Sequence, residues 1–156
     1  MLFPFQSTIK PISFDRFDKI DLQFNFNKYP RVSLYNNNYY CFYDGLYSMN
    51  MSNRSWIPMK GTESFSTEGC CMTSTSEGLV LYGGKINDTY SNEIWIFSDS
   101  WHPIAGNQSP CAHHAACFIP NSSTLLVHGG YDQNGIRSDC YLIDLISGSS
   151  TKIGLN

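Results

Sequence analysis

A short segment that occurs twice constrains the fold of this chain more than any other feature of its sequence. Residues 79–84 read Leu-Val-Leu-Tyr-Gly-Gly, and residues 125–130 read Leu-Leu-Val-His-Gly-Gly, 46 positions later. Each copy is followed by a polar stretch and then by a second apolar run. Such a period is typical of proteins built from stacked units, because one unit of this size cannot bury both of its faces alone.

A third, weaker copy lies upstream, at residues 39–45. Trp56 and Trp101, 45 positions apart, close the first and second copies, and Thr151 or Lys152 stands where the third copy would have its tryptophan. From these copies we predict an N-terminal extension followed by three units. Their bounds are 1–29 for the extension and 30–60, 61–106 and 107–156 for the units.

The secondary structure predicted from hydrophobic periodicity is entirely β. No long stretch places apolar residues at helical spacing, whereas short runs of β-branched and aromatic residues alternate with Gly, Asn, Asp, Ser and Pro. The predicted strands are 39–43, 70–74, 79–82, 94–97, 115–119, 125–128 and 140–145, and residues 19–27 predict one further strand in the extension. Each unit therefore reads as four strands, and the strand that ends in Gly-Gly is the second of them.

The di-glycines and the tryptophans have a direct structural use in such a unit. Glycine reaches positive φ without a Cβ clash, so a strand that ends in two glycines can turn sharply and let neighbouring backbone pass close by. A large aromatic side chain at the start of the last strand fills the space between one small sheet and the next. We therefore predict structural roles for six residues: Gly83, Gly84, Gly129, Gly130, Trp56 and Trp101.

This pattern of an apolar strand ending in Gly-Gly, followed by a spaced Trp, resembles the kelch repeat. That family often opens a repeat with Pro-Arg and has a His a few residues on. Pro30-Arg31 opens the first unit here, and His114 follows Pro110 in the third, while Gly45 follows an Asp where the family has Gly-Gly. The resemblance covers nearly the whole chain and implies that Arg31, Gly45 and His114 belong to the structural motif. It also implies a partial β-propeller of about three four-stranded antiparallel kelch-type blades.

Three blades are fewer than the roughly four to eight with which propellers close. Three explanations follow: the chain is a piece of a longer propeller, it is an open wedge of three blades, or it self-associates into a closed ring. An open wedge exposes two apolar flanks, which favours association or aggregation. We therefore expect the isolated chain to self-associate or to be poorly soluble.

The charge balance and the N-terminus limit the classes of partner. Ten basic and thirteen acidic residues give a net charge of −3 without a basic block, which argues against nucleic acid or an anionic membrane as the main partner. No apolar run reaches the ~20 residues of a membrane span. Residues 1–5 are apolar but lack the charged region and the long apolar stretch of an export signal. We therefore expect a cytoplasmic protein whose six cysteines are reduced.

Clustered cysteines and histidines raise the question of metal or hydrolytic chemistry. Cys111, His113, His114 and Cys117 are all metal-ligand types. On a strand, Cys111, His113 and Cys117 would share one face, too far apart for one tetrahedral site, and His114 would lie on the other face. No nucleophile elbow or glycine-rich oxyanion loop accompanies them. We expect no metal and no cofactor here, and we expect the neighbouring blade to shield the three residues that share a face.

The expected function is therefore non-catalytic: the chain binds a protein partner through the polar loops that follow the di-glycines. Binding residues of a rigid scaffold lie mostly on its loops, and Tyr and Arg are common at interaction hot spots. The candidate partner-binding residues come from loops 85–92 and 131–138: Asn87, Asp88, Tyr90, Tyr131, Asp132, Gln133, Asn134 and Arg137. The alternative is a subunit or piece of a propeller-fold enzyme, copper oxidase-like or hydrolytic, whose site other blades complete.

Overall fold

The computed structural model describes residues 30–43, 45–50, 52–62 and 68–154, and their regular structure is all β. Sheet 1 consists of β1 (Arg31–Tyr35), β2 (Asn38–Phe42), β3 (Leu46–Asn50) and β4 (Ser55–Pro58). The second unit comprises β5 (Cys71–Ser74), β6 (Leu79–Tyr82), β7 (Lys85–Ile86), β8 (Thr89–Tyr90), β9 (Ile94–Phe97) and β10 (Trp101–Ile104). The third comprises β11 (Ala115–Phe118), β12 (Thr124–His128), β13 (Tyr131–Asp132), β14 (Gly135–Ile136), β15 (Cys140–Asp144) and β16 (Ser150–Ile153).

The second and third units have the same topology. Sheet 2 has the strand order β5-β6-β9-β10 and sheet 3 has the order β11-β12-β15-β16, with every neighbouring pair antiparallel. A separate two-stranded hairpin, β7–β8 or β13–β14, is inserted between the second and third strands of each sheet. The first strands of the three sheets are neighbours, because β1 lies beside β5 and β5 beside β11.

The predicted all-β class and the four-stranded antiparallel unit are confirmed. The seven strands predicted in the described part of the chain lie within one residue of the observed strands at each end. The polar stretches 85–92 and 131–138, expected as loops, contain the two short hairpins. The strand predicted at 19–27 lies outside the described residues. No helix among the described residues is long and apolar enough to cross a membrane.

Two apolar clusters hold the three sheets together. The cluster between sheets 1 and 2 consists of Phe42, Leu46, Cys70, Leu79, Leu81 and Phe97. The cluster between sheets 2 and 3 consists of Cys71, Val80, Tyr82, Ile94, Cys111, Leu125, Val127 and Ile143. Because alternate residues of β6 point to opposite faces, Leu79 and Leu81 belong to one cluster and Val80 and Tyr82 to the other. Sheet 2 is therefore covered on both faces.

Trp101 occupies the space between sheets 1 and 2, as the sequence predicts. Its ring centroid lies 5.3 Å from that of Phe97 in its own sheet and 6.2 Å from that of Phe42 in sheet 1. Strand pairing sets Trp101 opposite Phe97 and sets Ser150 opposite Ile143 in sheet 3. The residue at the tryptophan position of the third unit is therefore Ser150, and the expectation of Thr151 or Lys152 is wrong.

The two di-glycine corners adopt the conformation that their sequence predicts. Gly83 and Gly84 have φ values of +67° and +100°, and Gly129 and Gly130 have +68° and +90°. A Cβ on Gly83 would collide with the carbonyl oxygen of Cys111, and a Cβ on Gly130 would lie 2.5 Å from the carbonyl oxygen of Ala112. Both corners therefore need glycine for φ and, at these two positions, for the close approach of the chain that connects sheets 2 and 3.

Candidate functional site

The first polar hairpin, β7–β8, is closed by a tight two-residue turn. Asn87 and Asp88 both have positive φ, +48° and +63°, which is the conformation that matches the twist of two-residue hairpins. The Lys85 ammonium lies 3.6 Å from a carboxylate oxygen of Asp88 and 5.0 Å from the ring centroid of Tyr90. These contacts fix Tyr90 on one side of the hairpin.

The second polar hairpin, β13–β14, is ordered by its own side chains. Asp132 pairs with Gly135 across the hairpin, and its Oδ1 accepts a hydrogen bond of 2.7 Å from the Asn134 N–H. Such a bond from a backbone N–H two residues on is the Asx-turn with which Asp stabilises tight turns. Gln133 and Asn134 at the tip are exposed.

The side chain of Arg137 packs against neighbouring groups of the same chain. Its side chain is only 7% exposed, with Nε 3.8 Å from an oxygen of Asp132. The guanidinium lies 5.0 Å from the ring centroid of Tyr141 and donates a hydrogen bond of 3.2 Å to the carbonyl of Pro110. Arg137 therefore holds the hairpin against the segment that contains Pro110, and its role in partner binding stays a prediction.

The segment 109–112, which connects sheets 2 and 3, joins the two hairpins. The N–H of Cys111 donates to the carbonyl of Ser91 at 3.1 Å, immediately after β8. Ala112 and Tyr131 exchange two backbone hydrogen bonds, of 2.9 and 2.8 Å, at the start of β13. Backbone bonds on both sides of one short segment hold the hairpins in a fixed relation to each other.

Between the hairpins lies a groove of about 580 Å³, which we call the hairpin groove. Its lining residues are Asp88, Thr89, Tyr90, Ser109, Pro110, Asp132, Gln133 and Asn134. Five of the predicted partner-binding residues meet there: Asp88, Tyr90, Asp132, Gln133 and Asn134. Asn87, Tyr131 and Arg137 are not among the lining residues.

Sequence reasoning missed the floor of the hairpin groove. Ser109 and Pro110 belong to the connection between repeats and show no motif of their own. The repeat itself could have predicted this floor. When two units stack, the segment that connects them passes between their two di-glycine corners. The hydroxyl of Tyr82 fixes this floor by donating a hydrogen bond of 2.6 Å to the carbonyl of Ser109.

A buried cysteine–histidine contact lies behind the groove. The Sγ of Cys111 is 3.2 Å from Nδ1 of His114, and the His114 ring centroid is 4.8 Å from that of Tyr82. Burial lowers the pKa of His114 to about 4, with further lowering by Arg137, Arg31 and His113, and burial raises the pKa of the Cys111 thiol. Both partners are therefore neutral near pH 7, the opposite of the charged pair that activates a catalytic cysteine.

The expected geometry of the Cys/His segment is partly wrong. Strand β11 begins only at Ala115, and His113 has a φ of +55°, so the alternation assumed for this stretch is broken. Cys111 contacts His114 instead of lying on the opposite face. Cys111 is buried as expected, whereas His113 and Cys117 are exposed and not shielded. Within the described ranges, no three His, Cys, Asp or Glu side chains are grouped closely enough to hold a metal ion.

An exposed turn places Asp99, Ser100 and His102 together. Ser100 Oγ and Asp99 Oδ1 lie 3.1 and 3.3 Å from the same atom, Nε2 of His102. In a hydrolytic triad the acid and the nucleophile contact different ring nitrogens, so that the imidazole can relay a proton between them. This cluster therefore has the residue types of a triad without its geometry, and it closes the β9–β10 turn.

A second groove, of about 610 Å³, lies between sheets 2 and 3. Its apolar lining comes from Ile96, Ile104, Phe118, Leu145 and Ile146, and turn residues 75–77 and 121–123 form its rim. The sequence pattern assigned these residues to strands and turns only.

No protein-family model matches this chain, and no curated protein matches it either. The kelch resemblance therefore depends on the residues of this sequence alone.

Proposed function

We propose that this chain is a non-catalytic binding module that holds a segment of a partner protein in the hairpin groove. The observation that carries this proposal is the convergence of two separate polar hairpins on one groove of about 580 Å³. That volume lies within the ~300–1,000 Å³ of typical ligand sites. The groove sits on a frame of backbone hydrogen bonds, so the contact surface exists before a partner arrives.

The chemistry of the groove suits an extended peptide. Carboxylates, hydroxyls and amides from Asp88, Thr89, Asp132, Gln133 and Asn134 offer both donors and acceptors for peptide N–H and C=O groups. Tyr90 and Pro110 add apolar surface on which a side chain can pack. Because Lys85 lies near Asp88 and Arg137 near Asp132, the charge of each carboxylate is partly compensated, and we expect recognition by hydrogen bonds more than by net charge.

We also propose that the three sheets are blades of a kelch-type propeller. Three observations support this: each sheet has four antiparallel strands, the first strands of successive sheets are neighbours, and the di-glycine corners repeat with the same φ signs. In such an arrangement the hairpins of successive blades project from one face, which is where the groove would lie.

A cytoplasmic location is part of the proposal. All six cysteines lie in the described residues, where none of them forms a disulfide, and five of them are buried. Protein disulfides are rare in the reducing cytosol, so a chain whose six described cysteines form no disulfide fits that compartment.

The proposal is tested by selecting peptides from a displayed random library on the immobilised full chain and measuring their affinities by fluorescence anisotropy. We expect Tyr90→Ala and Gln133→Ala each to weaken a selected peptide about fivefold or more, the ~1 kcal/mol typical of a contact residue. Tyr131→Ala is the matched control, because it removes the same aromatic ring from the other hairpin outside the groove. Failure to select any binder, or equal binding by Tyr90→Ala and the unaltered chain, contradicts the proposal.

A further inference from the structure

The two sheet-to-sheet interfaces inside the chain use equivalent positions of the repeat. The pairing of β6 with β9 sets Leu81 opposite Trp95, and the pairing of β12 with β15 sets Val127 opposite Tyr141. Residues 46 positions apart therefore occupy the same place in sheets 2 and 3. It follows that each sheet turns one set of positions toward the preceding sheet and the alternate set toward the following sheet.

Sheet 3 has an outer face that points away from sheet 2. This face consists of the same repeat positions as the face of sheet 2 that packs against sheet 3. Val80 and Ile94 on that face of sheet 2 are both 0% exposed, and their equivalents in sheet 3 are Leu126 and Cys140. Leu126 pairs directly with Leu142, and both side chains are partly exposed. We call this surface the C-terminal flank, and it consists of Cys117, Leu126, Cys140, Leu142 and Ile153, of which Cys140 is buried within the single chain.

Sheet 1 exposes part of the complementary set of positions, since Cys41 and Met49 on the same face are buried. Tyr39 pairs with Leu34 at the start of β2, as Leu79 pairs with Ser74 at the start of β6. Leu79 is fully buried against sheet 1, whereas Tyr39 is 40% exposed. We call this surface the N-terminal flank, and it consists of Val32, Leu34 and Tyr39, of which the first two are 57% and 50% exposed.

We propose that the C-terminal flank binds the N-terminal flank of a second copy of this chain. The contact continues an established series, because it places the same positions together that join sheet 1 to sheet 2 and sheet 2 to sheet 3. In a pair of copies, the C-terminal flank of each copy packs against the N-terminal flank of the other. The two contacts are identical and are related by a two-fold axis. The six sheets of the pair then fall within the roughly four to eight blades that close a propeller. This proposal does not depend on the ligand of the hairpin groove.

The oligomeric state of the full chain tests the proposal by sedimentation velocity over a concentration series. We expect a dimer of about twice the 17.7 kDa of one chain. Leu142→Asp and Val32→Asp, one on each flank, should each weaken the dimer at least tenfold. Ile136→Asp is the control, because Ile136 is 83% exposed on a hairpin outside both flanks, and it should leave the dimer unchanged.

A mixing experiment separates the head-to-tail contact from a contact between identical flanks. A dimer of one Leu142→Asp chain and one Val32→Asp chain retains one unaltered flank-to-flank contact, so mixing the two variants should restore dimer. A dimer joined through two C-terminal flanks would gain nothing from mixing. Circular dichroism checks that each variant keeps the β spectrum of the unaltered chain.

A second measurement needs no variant. Cys117 is an exposed thiol on the C-terminal flank of the single chain, so its alkylation rate, followed by mass spectrometry, should rise as the protein is diluted below its dimer concentration. A monomer at all concentrations, a dimer that neither flank variant weakens, or a Cys117 rate that does not depend on concentration would overturn the proposal.

Discussion

Sheets 2 and 3 share one sequence pattern and one strand register, yet they differ in how far they are buried. Leu79 and its equivalent Leu125 are both 0% exposed, because each faces a preceding sheet. On the other face, Val80 is 0% exposed while its equivalent Leu126 is partly exposed. The repeat therefore determines which positions are apolar, and the presence of a neighbouring sheet determines which of them leave water.

The two di-glycine corners show the same difference at atomic scale. Gly83 and Gly129 have almost the same φ, +67° and +68°. A Cβ on Gly83 would collide with the carbonyl of Cys111, which belongs to the next unit, whereas a Cβ on Gly129 would meet only the Arg137 carbonyl at 3.4 Å. Local conformation is the same at the two corners, and the crowding around them is not.

The largest expected effect comes from making the same substitution at two equivalent positions, Val80 in sheet 2 and Leu126 in sheet 3. Val80→Asp places an unpaired charge between sheets 2 and 3, which should cost more than about 4 kcal/mol and prevent folding. Leu126→Asp places the same charge on the C-terminal flank and should leave a folded chain, destabilised by about 1 kcal/mol or less, that dimerises weakly. Urea unfolding followed by circular dichroism measures both, and equal destabilisation by the two variants would show that their environments do not differ.

The corner comparison predicts an intermediate effect. Alanine at Gly129 meets only the cost of positive φ, about 1 kcal/mol, because its Cβ has room. Alanine at Gly83 meets the same cost and in addition displaces the Cys111 carbonyl, so we expect a loss of about 3 kcal/mol or more. Thermal unfolding of the two variants measures the difference. A loss at Gly129 as large as that at Gly83 contradicts the assignment of the crowding to the first corner.

The smallest expected effect is a pH dependence that arises at the first corner. His114 is neutral when folded because burial lowers its pKa to about 4, whereas in the unfolded chain its pKa is the ordinary histidine value of 6.5. The unfolded state thus binds more protons between these values, so stability from this residue is present above pH 6.5 and declines as the pH falls toward 4. The decline between pH 7 and pH 5 should be on the order of 2 kcal/mol.

Chemical denaturation of the unaltered chain and of His114→Phe at both pH values measures this contribution. The variant retains an aromatic ring against Tyr82 and has no titrating group at this position. We expect its stability to fall less between pH 7 and pH 5 than that of the unaltered chain. The same decline in both proteins would mean that other groups cause it.

Much of the candidate site could be predicted because hairpin chemistry is local. Asn87-Asp88 and Asp132 are turn residues whose preferences act within a few positions, so the sequence indicated polar segments at 85–92 and 131–138, although it predicted loops and not the hairpins that form there. That five of these residues line one groove could not be predicted from either hairpin alone. Their meeting depends on the stacking of sheets 2 and 3 and on the position of Pro110 between them.

The sequence by itself determined the strands, the four-stranded unit and the glycine corners of this protein, because alternation of apolar residues and access to positive φ are properties of neighbouring residues. The tertiary structure alone decided that the Arg137 side chain packs against its neighbours, that Cys111 contacts His114 and that Cys117 is exposed. Those outcomes depend on which segment of another unit passes each side chain. A pattern with a period of two assigns a residue to a face, but only the packing of one sheet on the next decides what covers that face.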